Sequence, residues 1–192
     1  MGLRDVLFGR SKLKDPARDR LFAISTARIT LESELDLKPA GAAGVCFKSL
    51  SAGEFVRAEN ELQELLDAVA AGSGSRVERH SDDMGFEWLV VRDGDFEDLV
   101  TTVHLISQEL QDRGFGPQLL AADFPFQEKF KEGRHVYWIY GFKRGAFWPF
   151  VPKGEGKERD NAEELELKAK LEQELPIEPD LTRWFGLFNT PL

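Results

Sequence analysis

The feature of this sequence that most constrains its fold is the repeated occurrence of two strand-like segments joined by a short turn. Residues 76–80 and Phe86–Arg92 flank one such turn, and residues 118–126 and 136–142 flank another. Strands joined so closely pair in antiparallel orientation, and single helical segments separate the pairs along the chain. The sequence therefore predicts an α+β fold: a mainly antiparallel sheet built from strand pairs, with helices packed on one face.

The alternation of side chains predicts one further strand and indicates the position of another in this sheet. In residues 27–37, every second position from 29 onward holds one member of the set Ile29, Leu31, Ser33, Leu35 and Leu37. This mainly apolar alternation is typical of a strand with one buried face. Residues 136–142 are apolar at both alternating sets of positions. We therefore expect this segment to be a central strand, buried on both of its faces.

Three segments have the signals of helices. Residues 51–54 have the spacing of a capping box, a hydroxyl followed three positions later by a carboxylate, which predicts a helix that begins there. Apolar residues at helical spacing predict a second helix from Phe96 to about residue 113. A third helix is predicted over residues 160–175, where Glu164 and Lys168 are four positions apart and favour a largely solvated helix.

Length and charge limit the domain organisation and the function. A chain of 192 residues suits one well-buried core, so we predict an N-terminal arm and linker over residues 1–20. A single α+β domain over residues 21–192 then ends in a C-terminal helix and an apolar hook. The arm has six basic and three acidic side chains, whereas the whole chain has a net charge of −9. This negative charge argues against general nucleic-acid binding, which requires a basic surface.

Candidate catalytic residues are scattered in the sequence. His80, Asp82 and Asp83 occupy one polar turn, and they form with Cys46 the only enzyme hypothesis that we retain. Cys46, in an apolar run, is better explained as a small residue of the core, and a polar turn explains the other three. The three histidines lack the spacing of metal ligands. We therefore predict no metal, no cofactor and no catalytic residue.

An aromatic and basic segment is the main candidate for a binding surface. Aromatic side chains of this kind either pack in the core or, together with basic residues, form a recognition patch, because aromatic residues and arginine dominate interface hot spots. Both interpretations stay open from the sequence. The candidate partner-binding residues are Lys143, Arg144, Phe147, Trp148, Phe150, Trp184 and Phe185.

The N-terminal arm is a second candidate. It combines a small apolar cluster with cations, and it is either disordered or a docking peptide for a protein or an anionic surface. Its candidate docking residues are Leu3, Arg4, Leu7, Phe8 and Arg10. Since the sequence has no run of 18 apolar residues and no secretory signal, we expect a cytoplasmic protein, with peripheral contact at the inner face of the cell membrane as an open alternative.

Five motifs give the chain a resemblance to a known family. They are residues 1–10 (MGLRDVLFGR), 114–120 (GFGPQLL), 140–150 (YGFKRGAFWPF), 160–165 (DNAEEL) and 175–185 (LPIEPDLTRWF). Together they resemble the PspAB family, the PspA-associated proteins of bacteria and archaea. The resemblance implies a role beside PspA, the membrane-binding coat protein of the phage-shock envelope-stress response. It implies no established enzyme activity, no cofactor and no catalytic residues.

These observations lead to one prediction of function and two alternatives. We predict a non-enzymatic accessory protein that acts in the membrane stress response by binding a PspA-type partner. The alternatives are an enzyme with a scattered, unrecognised site and a peripheral membrane-sensing protein that uses the N-terminal arm. The oligomeric state stays open.

Overall fold

A computed structural model of the chain describes residues 20–48, 64, 67–69, 74–82, 84–130, 133–154 and 156–192. Within these ranges the bounded α-helices are α1 (Ala23–Glu34), α2 (Phe96–Leu110) and α3 (Asn161–Leu171). The strands are β1 (Leu37–Pro39), β2 (Ala42–Lys48), β3 (Arg76–Ser81), β4 (Phe86–Arg92), β5 (Leu119–Glu128), β6 (His135–Gly141), β7 (Ala146–Phe150), β8 (Pro152–Lys153) and β9 (Glu158–Arg159).

The described part of the chain forms one seven-stranded sheet and one small hairpin. The strand order is β3-β4-β2-β5-β6-β7, with β1 paired to one end of β5, and β8 pairs with β9. Every strand pairing is antiparallel. The fold is therefore α+β with a mainly antiparallel sheet, and the strand pairs β3–β4 and β5–β6 are confirmed as predicted. Strand β6 has a neighbour on both sides and is buried along most of its length.

The prediction of a strand over residues 27–37 is wrong, because most of this segment belongs to helix α1. The buried residues of α1 are Ile24, Ala27 and Leu31, which follow helical spacing, whereas Ile29 is 65 % exposed. Positions 29, 31 and 35 do fit the period of a strand, but positions 24, 27 and 31 form an apolar stripe with the period of a helix, and the helix is what forms. Residues Leu37–Pro39 do form the short strand β1.

The other helix predictions have different outcomes. Helix α2 begins at Phe96, where the side chain of Asp95 accepts hydrogen bonds from two backbone N–H groups, and a π-helical turn with Gly114 at φ 93° follows it. Helix α3 ends at Leu171, four residues earlier than predicted. The predicted start of a helix at residues 51–54 lies outside the described residues, although residues 64 and 67–69 are helical.

Helices α1, α2 and α3 all pack on one side of the sheet, which we call the helix face. Its core brings Leu31, Val103 and Leu171 from the three helices against strand residues such as Phe124 and Trp138. All five side chains are fully buried. The prediction that the helices lie on one face is confirmed for the described helices.

The opposite side of the sheet, the strap face, has a different cover. Its buried residues form two clusters, one around Ile139, Trp148 and Trp184 and one around Cys46 and Trp88. Residues 176–192, which we call the C-terminal strap, supply Trp184 and partly buried side chains such as Leu187 to these clusters. The strap thus buries the side of the sheet that the described helices leave uncovered.

Candidate functional site

The strap reaches its position by pairing with the edge of the sheet. The N–H of Phe147 donates to the carbonyl of Pro176 over 2.8 Å, and the N–H of Glu178 donates to the carbonyl of Phe147 over 2.9 Å. Ile177, between them, contacts the clusters on both faces. The chain therefore passes from the helix face, where α3 lies, to the strap face around the edge of β7.

Hydrogen bonds from buried aromatic side chains then fix the course of the strap. The indole Nε1 of Trp184 donates to the carbonyl of Glu178 over 2.9 Å, and Nε1 of Trp148 donates to the carbonyl of Phe185 over 3.0 Å. Both interactions join a side chain to the irregular backbone of the strap. They satisfy carbonyl groups that secondary structure does not pair.

Arg159 joins the strap to helix α3. Its guanidinium donates to the carbonyl of Trp184 and to both carboxylate oxygens of Glu164, at 2.9 Å for each oxygen, and it lies over the ring of Phe150. Glu164 is 2 % exposed and also accepts from the N–H of Val151. The predicted solvated pair of Glu164 with Lys168 is therefore wrong: Glu164 is turned into the protein, and Lys168 pairs with Glu172 instead.

The predicted aromatic and basic residues separate into two groups. Phe147, Trp148, Phe150 and Trp184 are buried, Phe147 on the helix face and the other three on the strap face. These four side chains therefore pack in the core and do not form a recognition patch. Lys143, Arg144 and Phe185 are exposed, so they are the predicted partner-binding residues that an incoming protein can reach directly.

Two of these exposed residues, Arg144 and Phe185, belong together with Leu181 and Arg183 to one surface, which we call the strap surface. Phe185 is 46 % exposed, and its ring packs edge-on against Trp148 with centroids 4.7 Å apart. Leu181 is 51 % exposed. Arg144 and Arg183 each lie 3.5 Å from the buried carboxylate of Glu178. The strap surface thus carries exposed apolar side chains together with two guanidinium groups that both lie beside Glu178.

A cavity of about 390 Å³ lies between the strap and the sheet. Its apolar lining includes Cys46, Trp88 and Leu120 from the sheet and Leu187 and Phe188 from the strap. The side chains of Lys48, Asp82 and Lys157 also line it. No local pattern in the sequence indicates this cavity, because its two walls are more than 60 residues apart in the chain.

Asp123 is a buried acid at the centre of the strap face. Burial raises the pKa of its carboxyl to about 8, and the hydrogen bond that Oδ2 accepts from the hydroxyl of Thr190 over 3.1 Å only partly opposes this shift. Burial, followed by the effect of Asp123, also raises the pKa of Tyr137 to about 12. The contact with Thr190 places a titratable group directly under the strap.

Among the described residues of the enzyme hypothesis, Cys46 and His80 do not form a nucleophile and base pair. Burial, with smaller effects of Asp82 and Asp123, raises the pKa of Cys46 to about 12, whereas a nucleophilic cysteine needs a lowered pKa. Trp88 pairs with His80 on one side and with Cys46 on the other, so the backbones of His80 and Cys46 are about 10 Å apart. Asp82 accepts hydrogen bonds from Met84, Phe86 and Trp88.

Several predicted residues lie outside the described part of the chain. They are Asp83 and all five candidate docking residues of the arm, Leu3, Arg4, Leu7, Phe8 and Arg10. Within the described ranges, no three His, Cys, Asp or Glu side chains converge as ligands for a metal ion. None of the helices in these ranges combines the length and apolar character that crossing a bilayer requires.

The fold and the site define an α+β protein whose sheet is covered by helices on one face and by a C-terminal strap on the other. The family model PspAB, described as PspA associated protein B, matches residues 1–192, so the chain belongs to the PspAB family. Its resemblance to that family is thereby confirmed. No curated protein and no solved structure matches the chain.

Proposed function

We propose that this protein is a non-enzymatic accessory factor of the membrane stress response, and that it acts by binding a PspA-type protein through the strap surface. The observation that carries the proposal is the family match over the whole chain, because the family is described by its association with PspA. The strap surface is the part of the described molecule that best suits this role.

Two physical properties of the strap surface support the proposal. Phe185 is exposed, yet its ring rests on Trp148 and its carbonyl is hydrogen-bonded, so little conformational entropy is lost when a partner covers it. Arg144 and Arg183 add guanidinium groups that lie beside Glu178. An exposed aromatic ring next to arginine is the composition typical of interface hot spots.

The test is a binding measurement between the purified protein and the PspA-type protein of the same organism. We expect Phe185→Ala and Arg144→Glu each to weaken binding by about tenfold or more, as hot-spot substitutions do. Phe130→Ala is the matched control, because Phe130 is 74 % exposed and follows β5, at the opposite end of β6 from Arg144. Circular dichroism should show that all three variants fold.

The expected results separate binding at this surface from other possibilities. Cys46→Ser and His80→Ala should leave binding unchanged, since the proposal gives these residues no part in it. The proposal is abandoned if the wild-type proteins do not bind, or if Phe185→Ala and Arg144→Glu bind as well as Phe130→Ala. Docking by the N-terminal arm stays a separate prediction.

A further inference from the structure

The cavity beneath the strap has the composition of a site for an apolar chain. Its floor is formed by Cys46, Trp88 and Leu120, and its roof by Leu187 and Phe188. A cavity of about 390 Å³ is within the range of small-molecule sites, which are mostly apolar with a few placed polar groups. Its apolar lining favours a ligand segment that needs no hydrogen bonds, such as an alkyl chain.

The charged side chains that line the cavity determine which charge the head group of such a ligand should carry. Lys48 and Lys157 are exposed, and within the described part of the chain neither has an ion-pair partner. The carboxylate of Asp82 already accepts hydrogen bonds from two backbone N–H groups and from Nε1 of Trp88. Among the described side chains that line the cavity, the two lysines are therefore the charged groups without a partner, and they favour an anion.

From this geometry we infer that the cavity binds a free single-chain amphiphilic anion, a fatty acid, with its alkyl chain between the sheet and the strap and its carboxylate at Lys48 and Lys157. The site shares Phe185 with the strap surface, but its charged residues are Lys48 and Lys157 and not Arg144 and Arg183. The inference therefore goes beyond the proposed function and does not depend on it. The source is the monomeric fatty acid and not the acyl chain of a bilayer lipid, because the strap covers the apolar floor.

Calorimetric titration with three probes of equal chain length tests the charge selection. Dodecanoate carries an anionic head, dodecanol a neutral one and dodecyltrimethylammonium a cationic one. We expect dodecanoate to bind the full-length protein with one site and at least about tenfold more tightly than the cationic probe, since one favourable charge interaction at a partly desolvated site has this magnitude. Equal affinity for the three probes, or no binding of dodecanoate, overturns the inference.

A pair of variants locates the head group. Lys48→Glu combined with Lys157→Glu should weaken dodecanoate binding by about tenfold or more and reduce the preference for the anion. Lys143→Glu is the matched control, because Lys143 is exposed in the turn after β6 and does not line the cavity. All substituted residues are exposed, so the variants should fold. Equal affinity of the double variant and the control overturns the assignment.

The reactivity of Cys46, the single cysteine of the chain, reports whether the alkyl chain occupies the cavity. We expect dodecanoate to slow modification of its thiol by methyl methanethiosulfonate, and dodecanoate should protect the double variant only at higher concentration. Unchanged modification in the presence of bound dodecanoate overturns the placement.

Flotation with vesicles of anionic phospholipid distinguishes a free fatty acid from a bilayer lipid as the ligand. Binding of the protein to vesicles without binding of free dodecanoate contradicts the inference. Because none of these measurements contains a PspA-type protein, their failure leaves the proposed function standing.

Discussion

The helix face and the strap face of the sheet are both rich in aromatic residues, but they are covered in different ways. On the helix face, Phe124 and Trp138 meet regular helices whose backbone hydrogen bonds are internal. On the strap face, Trp148 and Ile139 meet a segment of irregular backbone. Individual side chains, above all Arg159 and Trp184, hold this segment.

This difference indicates which face opens more easily. Removing a helix from the sheet exposes a continuous core, whereas lifting the strap breaks a few side-chain contacts and exposes a smaller cluster. Regions with fewer buried apolar contacts open at lower free energy than the global unfolding transition. The cavity and the buried acid Asp123 both lie on the strap face, so opening of the strap exposes both of them.

The largest expected effect compares one phenylalanine from each face. Phe124→Ala should lower the free energy of unfolding by about 3–5 kcal/mol, because the ring is fully buried among regular elements. Phe188→Ala, in the partly buried strap, should lower it by roughly half as much. Urea denaturation measures both values.

The rate at which the thiol of Cys46 is chemically modified under native conditions compares the same two variants in a second way. Phe188→Ala should speed this reaction, because the strap covers Cys46. Relative to the stability that each variant loses, Phe124→Ala should increase the modification rate less than Phe188→Ala does. The comparison fails if modification rates follow global stability alone.

Asp123→Asn tests whether the buried acid destabilises the strap face. In the folded chain the carboxyl keeps its proton up to about pH 8, while in the unfolded chain it loses the proton near the ordinary pKa of 3.8. The unfolded state therefore binds fewer protons between these values, and stability falls as pH rises through this window. Asparagine removes this dependence, so the gain in stability of Asp123→Asn over wild type should grow from pH 4 to pH 8 and then level off.

The gain at pH 8 should be on the order of a few kcal/mol, since each unit of pKa shift corresponds to about 1.4 kcal/mol. Urea denaturation of both proteins across pH 4 to 9 measures it. A difference that does not change with pH would show that Asp123 is not held protonated.

Gly186→Ala should loosen the strap by overpacking it. A Cβ at this position would lie 2.7 Å from the ring of Phe150 and 2.7 Å from the ring of Phe188, so one of the rings or the strap must move. We expect a loss of about 1–3 kcal/mol in thermal or urea denaturation and faster modification of Cys46. Gly94→Ala is the control, because a Cβ there would have no atom within 4 Å; equal effects of the two substitutions would contradict the prediction.

The smallest expected effect is that of Phe185→Ala on folding. Its ring is half exposed, so the substitution removes mainly the edge-on contact with Trp148, and stability should fall by about 1 kcal/mol or less. The same measurement therefore separates the outer surface of the strap from the side chains beneath it. A loss as large as that of Phe188→Ala would mean that Phe185 belongs to the core.

The sequence predicted the strand pairs and the start of helix α2 because their signals are local. A short turn requires antiparallel pairing, and Asp95 precedes an apolar stripe of helical period. The prediction over residues 27–37 was wrong because Ile29 and Leu35 also fit a strand period. The error at Glu164 has another origin, since its partner Arg159 precedes the helix and only packing against the strap turns both side chains inward.

The candidate site was predicted less completely than the fold. The sequence identified Arg144 and Phe185, which lie on the strap surface, but it could not separate them from Trp148 and Phe150, which are buried. An aromatic side chain has the same sequence pattern in a core and on a recognition surface. Only the covering segment distinguishes the two, and here that segment begins more than 25 residues after β7.

By itself, the sequence determined the α+β class, the antiparallel pairing and the family, since these follow from local periodicity, turn length and motifs. The tertiary structure alone decided that residues 176–192 cover the second face of the sheet, that a cavity lies beneath them and that Asp123 is buried there with a raised pKa. The physical reason is that burial and electrostatics depend on which distant segments meet. Hydrogen bonding and side-chain periodicity along the chain do not encode such contacts.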